Sequence, residues 1–389
     1  MTLRATVVAD VPSPHQNVFF DAVARLGEVD LEVLFCRRVM PGRAWSGEGP
    51  KVARHRFLPE SSVGGVPLNP TLLPALLAHP SRLPLLIGYY LPALLGAGLA
   101  LAALRRPWIF WTDTLPAPRE GAPSLPGRLA RRLFLDSATL CLSTGEAGRA
   151  ALLAQGVPAR RAQVLPFVVD HASIQAGLLR ERPQREERRR QLGIPHDARV
   201  LLFVGQMIKR KGIDLLLDAL ALVRDRKGPA PFLLLLGEGT GLAEFRAQAK
   251  RAGLEELVRF LPYVDNAELP RFLSLADGFV LPSRFDAWPV VVVEALVAGL
   301  PVVGTDACGS VRDLITPETG FRCAPSDVLS LAEALRAFVA VPDLASMSAQ
   351  ARARVAPLAP LAVAREFTRV LEAAERLHRE RSPKLREHS

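Results

Sequence analysis

The sequence predicts an α/β protein made of two doubly wound, Rossmann-like domains that face a cleft. Apolar strands alternate with helical segments along the chain, and the alternation restarts after a charged run near residue 190. With 389 residues, of which 49% are hydrophobic, the chain is long enough for two cores. Strands that alternate with helices indicate a mostly parallel sheet, which binds ligands at the carboxyl ends of its strands.

The first domain is predicted over residues 1–175 and opens with the strand RATVVAD, the helix NVFFDAVARLG and the strand DLEVLFC. The uncharged segment from Leu83 to Leu104 is long enough to cross a bilayer. Prolines and glycines divide it into a strand and a helix, and PWIFWTD supplies the next strand. A buried β-α-β unit is therefore the preferred interpretation.

The second domain is predicted over residues 196–361, where the strands ARVLLFVG, PFLLLLG, VRFLPYV, DGFVLPS and LPVVGTD alternate with helices. Residues 176–195 carry the charged run RERPQREERRR and are predicted as an exposed linker. The C-terminal helix, residues 362–380, is assigned to the first domain.

The segment SRFDAWPVVVVEALVAGLPVV places Asp286 and Glu294 eight positions apart in an apolar run. Proline near its start and Gly-Leu-Pro near its end predict a buried helix from about Pro289 to Ala298. Side chains lean toward the amino end of a helix, so Glu294 is expected to point toward the loop of Asp286. A buried carboxylate requires a partner, which is either an arginine of the chain or the hydroxyl groups of a ligand.

A glycine turn, GQMIKRKG, follows the first strand of the second domain and carries Lys209, Arg210 and Lys211 before a helix predicted from about Ile213. Cationic side chains beside free helix amides are suited to a phosphate group. The turn is not a P-loop, because glycine follows Lys211. A solvated basic loop is the alternative interpretation.

The net charge of +10 and the isoelectric point of about 10.1 favour an anionic partner. Nucleic acid is not expected, because the sequence has no zinc-finger spacing, no aromatic and glycine RNA-binding signature, and only 6% aromatic residues. An acidic small substrate, an anionic membrane surface and a purely solubilising role for arginine remain open.

The cysteines at positions 36, 141, 308 and 323 form no CxxC pair and do not cluster with histidines. This pattern predicts neither a metal site nor a disulfide framework, and it suits a reducing compartment. The first residues have no convincing signal-peptide cleavage site, so a cytoplasmic location is expected.

Five segments together resemble the donor half of the retaining glycosyltransferases of the GT-B fold, family four (glycosyl transferases group 1). They are GQMIKRKG, the turn GEG, FLPYV, PSRFDAWPVVVVEALVAGLPVV and TDACGSVRDLI. SPHQNVFFDAVARLGEVDLEVLF and TGEAGRAALLAQGVPARRAQVLP resemble its acceptor half, so the resemblance covers essentially the whole chain. The spacing Asp-x7-Glu, where Glu-x7-Glu is usual, matches a subgroup.

The resemblance implies that Glu294 binds the ribose of a nucleotide sugar and that Asp286 lies beside the transferred sugar. Gln206 and Lys211 would bind the diphosphate. The further positions implied are Gly205 and Trp288 in the donor site, the backbone of Tyr263 and Val264 at the base, and Asp306, Gly309 and Ser310 in the sugar pocket. His15 and Asp113 are candidates for acceptor contact or proton transfer, with a structural role as the alternative for His15.

The function that the resemblance implies is transfer of a sugar from a nucleoside-diphosphate sugar to a glycan or lipid-linked acceptor, with retention, in polysaccharide or lipopolysaccharide biosynthesis. No Asp-x-Asp motif is present, so no metal or other cofactor is expected, and Lys211 and helix amides would stabilise the leaving group. Gln206 replaces a basic residue, and Ala287 and Pro289 replace glycines. An inactive protein that binds a nucleotide or glycan is therefore the alternative function. A non-hydrolysing sugar epimerase of the same architecture is a weaker, third interpretation.

Basic residues of the first half follow its apolar run, at Arg105 and Arg106 and between Arg119 and Arg132. A basic and partly apolar surface is attracted to anionic lipid. The sequence therefore predicts peripheral association with the inner face of the cytoplasmic membrane.

Overall fold

The structure is a computed structural model that describes residues 2–40, 47–63, 66–88, 91–113, 125–225 and 229–381. The chain forms two units: the first comprises Met1–Val169 and Leu358–Ser389, and the second comprises Asp170–Pro357.

Strands and helices alternate along most of the chain. The strands are β1 (Leu3–Ala9), β2 (Val29–Phe35), β3 (Arg54–Phe57), β4 (Ser61–Val63), β5 (Val66–Leu68), β6 (Leu83–Ile87), β7 (Ile109–Thr112), β8 (Leu140–Ser143), β9 (Ala162–Val164), β10 (Val200–Val204), β11 (Phe232–Leu236), β12 (Val258–Leu261), β13 (Gly278–Leu281), β14 (Val302–Thr305) and β15 (Gly320–Cys323). The helices are α1 (Pro14–Leu26), α2 (Leu72–Leu77), α3 (Pro92–Ala103), α4 (Leu125–Ser137), α5 (Glu146–Ala154), α6 (His171–Glu181), α7 (Arg185–Gln191), α8 (Ile213–Asp225), α9 (Leu242–Arg251), α10 (Leu269–Leu273), α11 (Val291–Ala298), α12 (Gly309–Leu314), α13 (Val328–Ala340), α14 (Ala345–Val355) and α15 (Pro360–Arg381).

The first unit is built on a parallel sheet with the strand order β3-β2-β1-β6-β7-β8-β9. All four residues of β7 and all four of β8 are buried, because helices cover both faces of a parallel sheet. The predicted β-α-β unit is confirmed as β6, α3 and β7. Among the described residues, no helix combines the length and apolar character needed to span a membrane.

The last helix, α15, packs on α1 of the first unit, where the rings of Phe19 and Phe367 lie 5.3 Å apart in an edge-to-face contact. The chain therefore enters the second unit after Val169 and returns to the first at Leu358.

The charged run at residues 176–195 does not form a separate connection but lies within α6, α7 and the turn after them, in the second unit. Arg185 and Arg189 both form ion pairs with Asp277, at 2.6 and 2.9 Å, and Arg189 is buried. The prediction of an exposed linker is therefore wrong for this run: it forms helices of the second unit, and Arg185 and Arg189 face the interior. Charge density alone does not distinguish an exposed helix from one whose arginines reach buried acceptors.

The second unit has a parallel sheet with the order β12-β11-β10-β13-β14-β15. The chain runs outward from β10 through β11 to β12, and then crosses back to place β13 on the other side of β10. The chain therefore continues in opposite directions along the sheet after β10 and after β13. The carboxyl ends of two such strands form the crevice where open parallel sheets bind ligands. Together with the first sheet, this architecture confirms the predicted pair of Rossmann-like domains.

The predicted buried helix of the valine-rich segment is confirmed as α11, which begins at Val291 and ends before Gly299. Gly299 has a φ of 80°, in the left-handed region that terminates helices. Val292, Val293 and Leu296 are fully buried. Burial of the whole segment outweighs the preference of consecutive valines for strands.

Candidate functional site

Two loops meet at the crevice of the second unit: residues 205–212 after β10 and residues 282–288 after β13. The first loop ends in a single 3-10 turn, Lys209–Lys211, followed by Gly212 with a φ of 71°. A Cβ atom at Gly212 would lie 2.0 Å from the carbonyl oxygen of Pro282. Only glycine therefore permits this backbone conformation and this close approach of the two loops.

Arg284 fastens the second loop to the first. Its guanidinium donates to the carbonyl oxygen of Lys209 at 2.7 Å and forms two hydrogen bonds of 2.7 Å with the carboxylate of Asp214, in the first turn of α8. Its backbone amide donates to the carbonyl oxygen of Arg210 at 2.9 Å. A planar guanidinium suits such multiple contacts. The pair of Arg284 and Asp214 was not predictable from the sequence, because neither residue stands in a distinctive motif.

Lys211 and Asp286 are brought together by these loops although 75 positions separate them. The Lys211 ammonium donates to Oδ2 of Asp286 at 2.5 Å, and Nη1 of Arg210 lies 3.5 Å from the same oxygen. The Lys211 side chain is 11% exposed and the Asp286 side chain 18% exposed. The pair is thus largely removed from water while remaining reachable by a ligand.

The backbone of Asp286 is held by the loop after β14. Its amide donates to the carbonyl oxygen of Ala307 at 3.3 Å, and its carbonyl oxygen accepts from the amide of Gly309 at 3.1 Å. A Cβ atom at Gly309 would lie 2.0 Å from the carbonyl oxygen of Ala287, so a larger residue would separate these loops. The buried Ser310 hydroxyl donates to the carbonyl oxygen of Pro289 at 2.9 Å.

Glu294 lies in the first turn of α11. Within the ranges that the structure describes, its carboxylate has no hydrogen-bond or ion-pair partner, so the arginine considered from the sequence is not found there. The side chain is only partly exposed. Loss of hydration raises the pKa of its carboxyl to about 7. An acceptor that lacks a protein donor and still reaches solvent is suited to a ligand's hydroxyl groups.

The turn after β11 packs against the loop that holds Gly205 and Gln206. The amide of Met207 donates to the carbonyl oxygen of Glu238 at 2.8 Å. A Cβ atom at Gly237 would lie 2.0 Å from the carbonyl oxygen of Gly205. The backbone of the GEG turn therefore packs against the loop at residues 205–212, which is the candidate for phosphate binding.

The remaining candidates of the second unit differ in their surroundings. Tyr263 and Val264 follow β12 at the same sheet edge, and Tyr263 is 42% exposed. The indole N–H of the buried Trp288 donates to Asp313 at 3.0 Å. Asp306 accepts from Nε of Arg322 at 2.6 Å. The Asp306 carboxylate is thus already engaged, by an arginine that sequence reasoning did not select.

His15 and Asp113 belong to the first unit and follow β1 and β7, at the carboxyl edge of its sheet. Nε2 of His15 lies 3.3 Å from Oγ of Ser13, and its ring centroid is 4.5 Å from that of Phe167. Asp113 is exposed. The contacts with Ser13 and Phe167 hold the His15 ring in place.

Across the described part of the chain, no three His, Cys, Asp or Glu side chains converge as a metal ion would require. All four cysteines are buried, and none forms a disulfide.

Residues 184–354, most of the second unit, match the family described as glycosyl transferases group 1. A glycogen synthase of Mycobacterium tuberculosis (strain ATCC 25618 / H37Rv) is 36% identical over 156 residues, which cover 40% of this chain and 36% of that protein. A D-inositol 3-phosphate glycosyltransferase of Jonesia denitrificans is 36% identical over 132 residues, which cover 32% of this chain and 31% of that protein. The chain thus spans about a third of the length of these relatives.

The structure of Anabaena Alr3699/HepE in complex with UDP-glucose superposes with a TM-score of 0.72 at 18% identity, covering 95% of this chain and 100% of that chain. At this identity the likeness shows the fold, which is the two-domain GT-B fold. The predicted fold class is therefore confirmed, and the match to the family model lies within the second unit.

Proposed function

We propose that the chain is a retaining hexosyl- or related glycosyltransferase that moves a sugar from a nucleoside-diphosphate sugar to a glycan or lipid-linked acceptor. One observation carries the proposal: in the matched unit, Arg210 and Lys211 lie beside the carboxylate of Asp286, and the first turn of the helix that follows carries a carboxylate, Glu294, that has no partner in the described residues. The complex of Alr3699/HepE with UDP-glucose supports a nucleotide sugar as the ligand.

The charges of this site suit the reaction. Departure of a nucleoside diphosphate places negative charge on its phosphates, which Lys211 and the amides at the start of α8 would stabilise. Glu294 would accept hydrogen bonds from the ribose hydroxyls. Asp286 would carry negative charge beside the sugar, whose anomeric carbon becomes positive. Retention rests on the resemblance, and we assign His15 and Asp113 to the acceptor.

The proposal is tested by release of nucleoside diphosphate from a panel of UDP-, GDP- and ADP-sugars, with and without glycan or lipid-linked acceptors. We expect one donor to be turned over, faster in the presence of an acceptor. Absence of both turnover and nucleotide binding across the panel would refute the proposal.

An inactive nucleotide- or glycan-binding protein is the second candidate. Pro289 favours it, because this residue lies just before Val290, the N-cap of α11, and has no N–H to offer a phosphate. The same panel separates the two functions: binding of a nucleotide sugar without release of nucleoside diphosphate would support the inactive protein.

We expect activity to persist in EDTA. The leaving phosphate is stabilised in this proposal by Lys211, Arg210 and helix amides and not by a divalent ion. The measurement is the rate of nucleoside diphosphate release before and after chelation. Complete loss that Mg²⁺ restores would show that a metal ion performs this role.

We further propose peripheral binding to anionic lipid at the inner face of the cytoplasmic membrane. Leu129 and Leu133, 60% and 56% exposed, lie one turn apart on α4, and Arg132, also exposed, lies between them in sequence. Each basic residue near an anionic surface contributes about 1 kcal/mol. Arg119, the first basic residue of the predicted surface after Arg106, lies outside the described residues.

The test is sedimentation with vesicles of phosphatidylglycerol and phosphatidylcholine at low salt. We expect binding that high salt reverses and that the double variant Leu129→Ser, Leu133→Ser weakens, because both salt-screened attraction and apolar insertion contribute. Equal binding to pure phosphatidylcholine vesicles, or no binding to either, would contradict the proposal.

A further inference from the structure

The ion pair between Lys211 and Asp286 has a consequence for ligand exchange. Lys211 is the cation that the proposed function assigns to the donor's diphosphate, yet its ammonium is already 2.5 Å from a carboxylate of the protein. Both side chains are largely shielded from water, so the charges interact more strongly than they would at an exposed surface. A diphosphate must therefore compete with Asp286 for Lys211 or bind close to its negative charge.

The carboxylate cannot withdraw by movement of its backbone without breaking other contacts. Asp286 is bonded through its amide and carbonyl groups to Ala307 and Gly309, and Arg284 ties the same loop to the loop of Lys211. Rotation of the Asp286 side chain is the motion that remains. Arg210, whose Nη1 lies 3.5 Å from the same carboxylate oxygen, provides a counter-charge when Lys211 leaves.

We propose that Asp286 is an internal competitor of the diphosphate for Lys211. Arrival of the donor transfers the ammonium from the carboxylate to the phosphates, and the released carboxylate becomes available to the hydroxyl groups of the sugar. When the sugar has been transferred, the ion pair re-forms and promotes release of the nucleoside diphosphate. This role rests on the proposed function and adds product release to it.

Loss of the Asp286 charge should raise the affinity for nucleoside diphosphate, although Asp286 lies within the proposed binding site. Asp286→Asn removes the competing charge while keeping the size of the side chain, so the site should bind nucleoside diphosphate more tightly. We expect the dissociation constant to fall by about three- to tenfold, the range for removing one nearby like charge from a partly shielded site. Turnover should slow, because product leaves less readily and the sugar loses its carboxylate.

The experiment is calorimetric titration of UDP, ADP and GDP into the full chain and its variants. Asp286→Glu retains the charge and should show no gain in affinity. Asp225→Asn removes an exposed carboxylate that pairs with Arg224, and it controls for the change in overall charge. Asp286→Ser should also raise the affinity for nucleoside diphosphate, as Asp286→Asn does. Thermal unfolding verifies that each variant is folded.

The outcomes separate the two proposals. If the wild-type chain binds one of the nucleotides and Asp286→Asn binds it more tightly, Asp286 competes for Lys211. Unchanged affinity would mean that Asp286 contacts only the sugar, and weaker binding would mean that it merely positions Lys211; either result overturns the inference and leaves the proposed function standing. Failure of the wild-type chain to bind any of the three would overturn both.

Discussion

Lys211→Ala is expected to reduce kcat/KM for the nucleotide-sugar donor by about 100- to 1000-fold, the usual cost of removing a group that stabilises transition-state charge. The ammonium is largely buried and lies in the crevice of the second unit, so water cannot replace it effectively. Affinity for the nucleoside diphosphate should fall as well, but by less than turnover, because phosphate charge grows during transfer.

The measurement for Lys211→Ala is steady-state release of nucleoside diphosphate, with its affinity determined separately. Lys250→Ala removes an exposed lysine from the last turn of α9 and should behave as wild type. Normal turnover in Lys211→Ala would remove this residue from the reaction site.

Glu294→Gln should stabilise the fold above neutral pH. The pKa of Glu294 is raised from 4.5 to about 7 by burial. Below about 4.5 the carboxyl is protonated in both folded and unfolded chains. Between 4.5 and about 7 the unfolded chain releases the proton while the folded chain keeps it, so this group's contribution to the free energy of unfolding is lost as pH rises.

Glutamine has no such penalty. We therefore expect the variant to exceed wild type by about 1 to 3 kcal/mol in free energy of unfolding at pH 8, and by much less at pH 4.5. Urea denaturation at the two pH values is the measurement. Glu333→Gln, at an exposed position of α13, should show no such pH dependence. A less stable Glu294→Gln at pH 8 would mean that the carboxylate has a stabilising partner in the protein.

The same Glu294→Gln variant should bind nucleotide more weakly at pH 8, by about three- to tenfold, because an amide oxygen accepts hydrogen bonds less strongly than a carboxylate. Gain in stability with loss of affinity is the signature of a residue kept for ligand binding. Unchanged affinity, measured by titration of the nucleoside diphosphate, would refute its role at the ribose.

The alternation of strands and helices was sufficient to predict both sheets. Parallel strands that are covered on two faces require near-continuous apolar residues, and this requirement is visible in segments such as VLLFV and FLLLL. The helix α11 was predictable despite its valines, because proline before it and Gly299 after it are local signals.

The ion pairs of the site were not predictable. Lys211 and Asp286 meet only because β10 and β13 are neighbours in the sheet. The local sequence pattern of a strand does not predict which strands lie beside it. The pairing of Asp306 with Arg322 depends likewise on the contact between β14 and β15. The sequence motifs indicate Asp286 and Lys211 as separate site residues, and the ion pair between them is visible only in the folded chain.

The charged run at residues 185–190 shows the opposite difficulty. Its alternating charges are typical of an exposed helix, yet Arg185 and Arg189 turn inward to Asp277. Residues four apart share a helix face, but that face can be covered by a distant acidic residue that only the folded chain reveals.

The central claim is that the crevice of the second unit holds the nucleotide sugar, and a crystal structure of the protein with the donor that the panel identifies tests it most directly. The account predicts that the diphosphate lies within hydrogen-bond distance of the Lys211 ammonium and that a ribose hydroxyl donates to Glu294. A diphosphate bound elsewhere in the chain, with Lys211 still paired to Asp286 and Glu294 without a ligand, would contradict it.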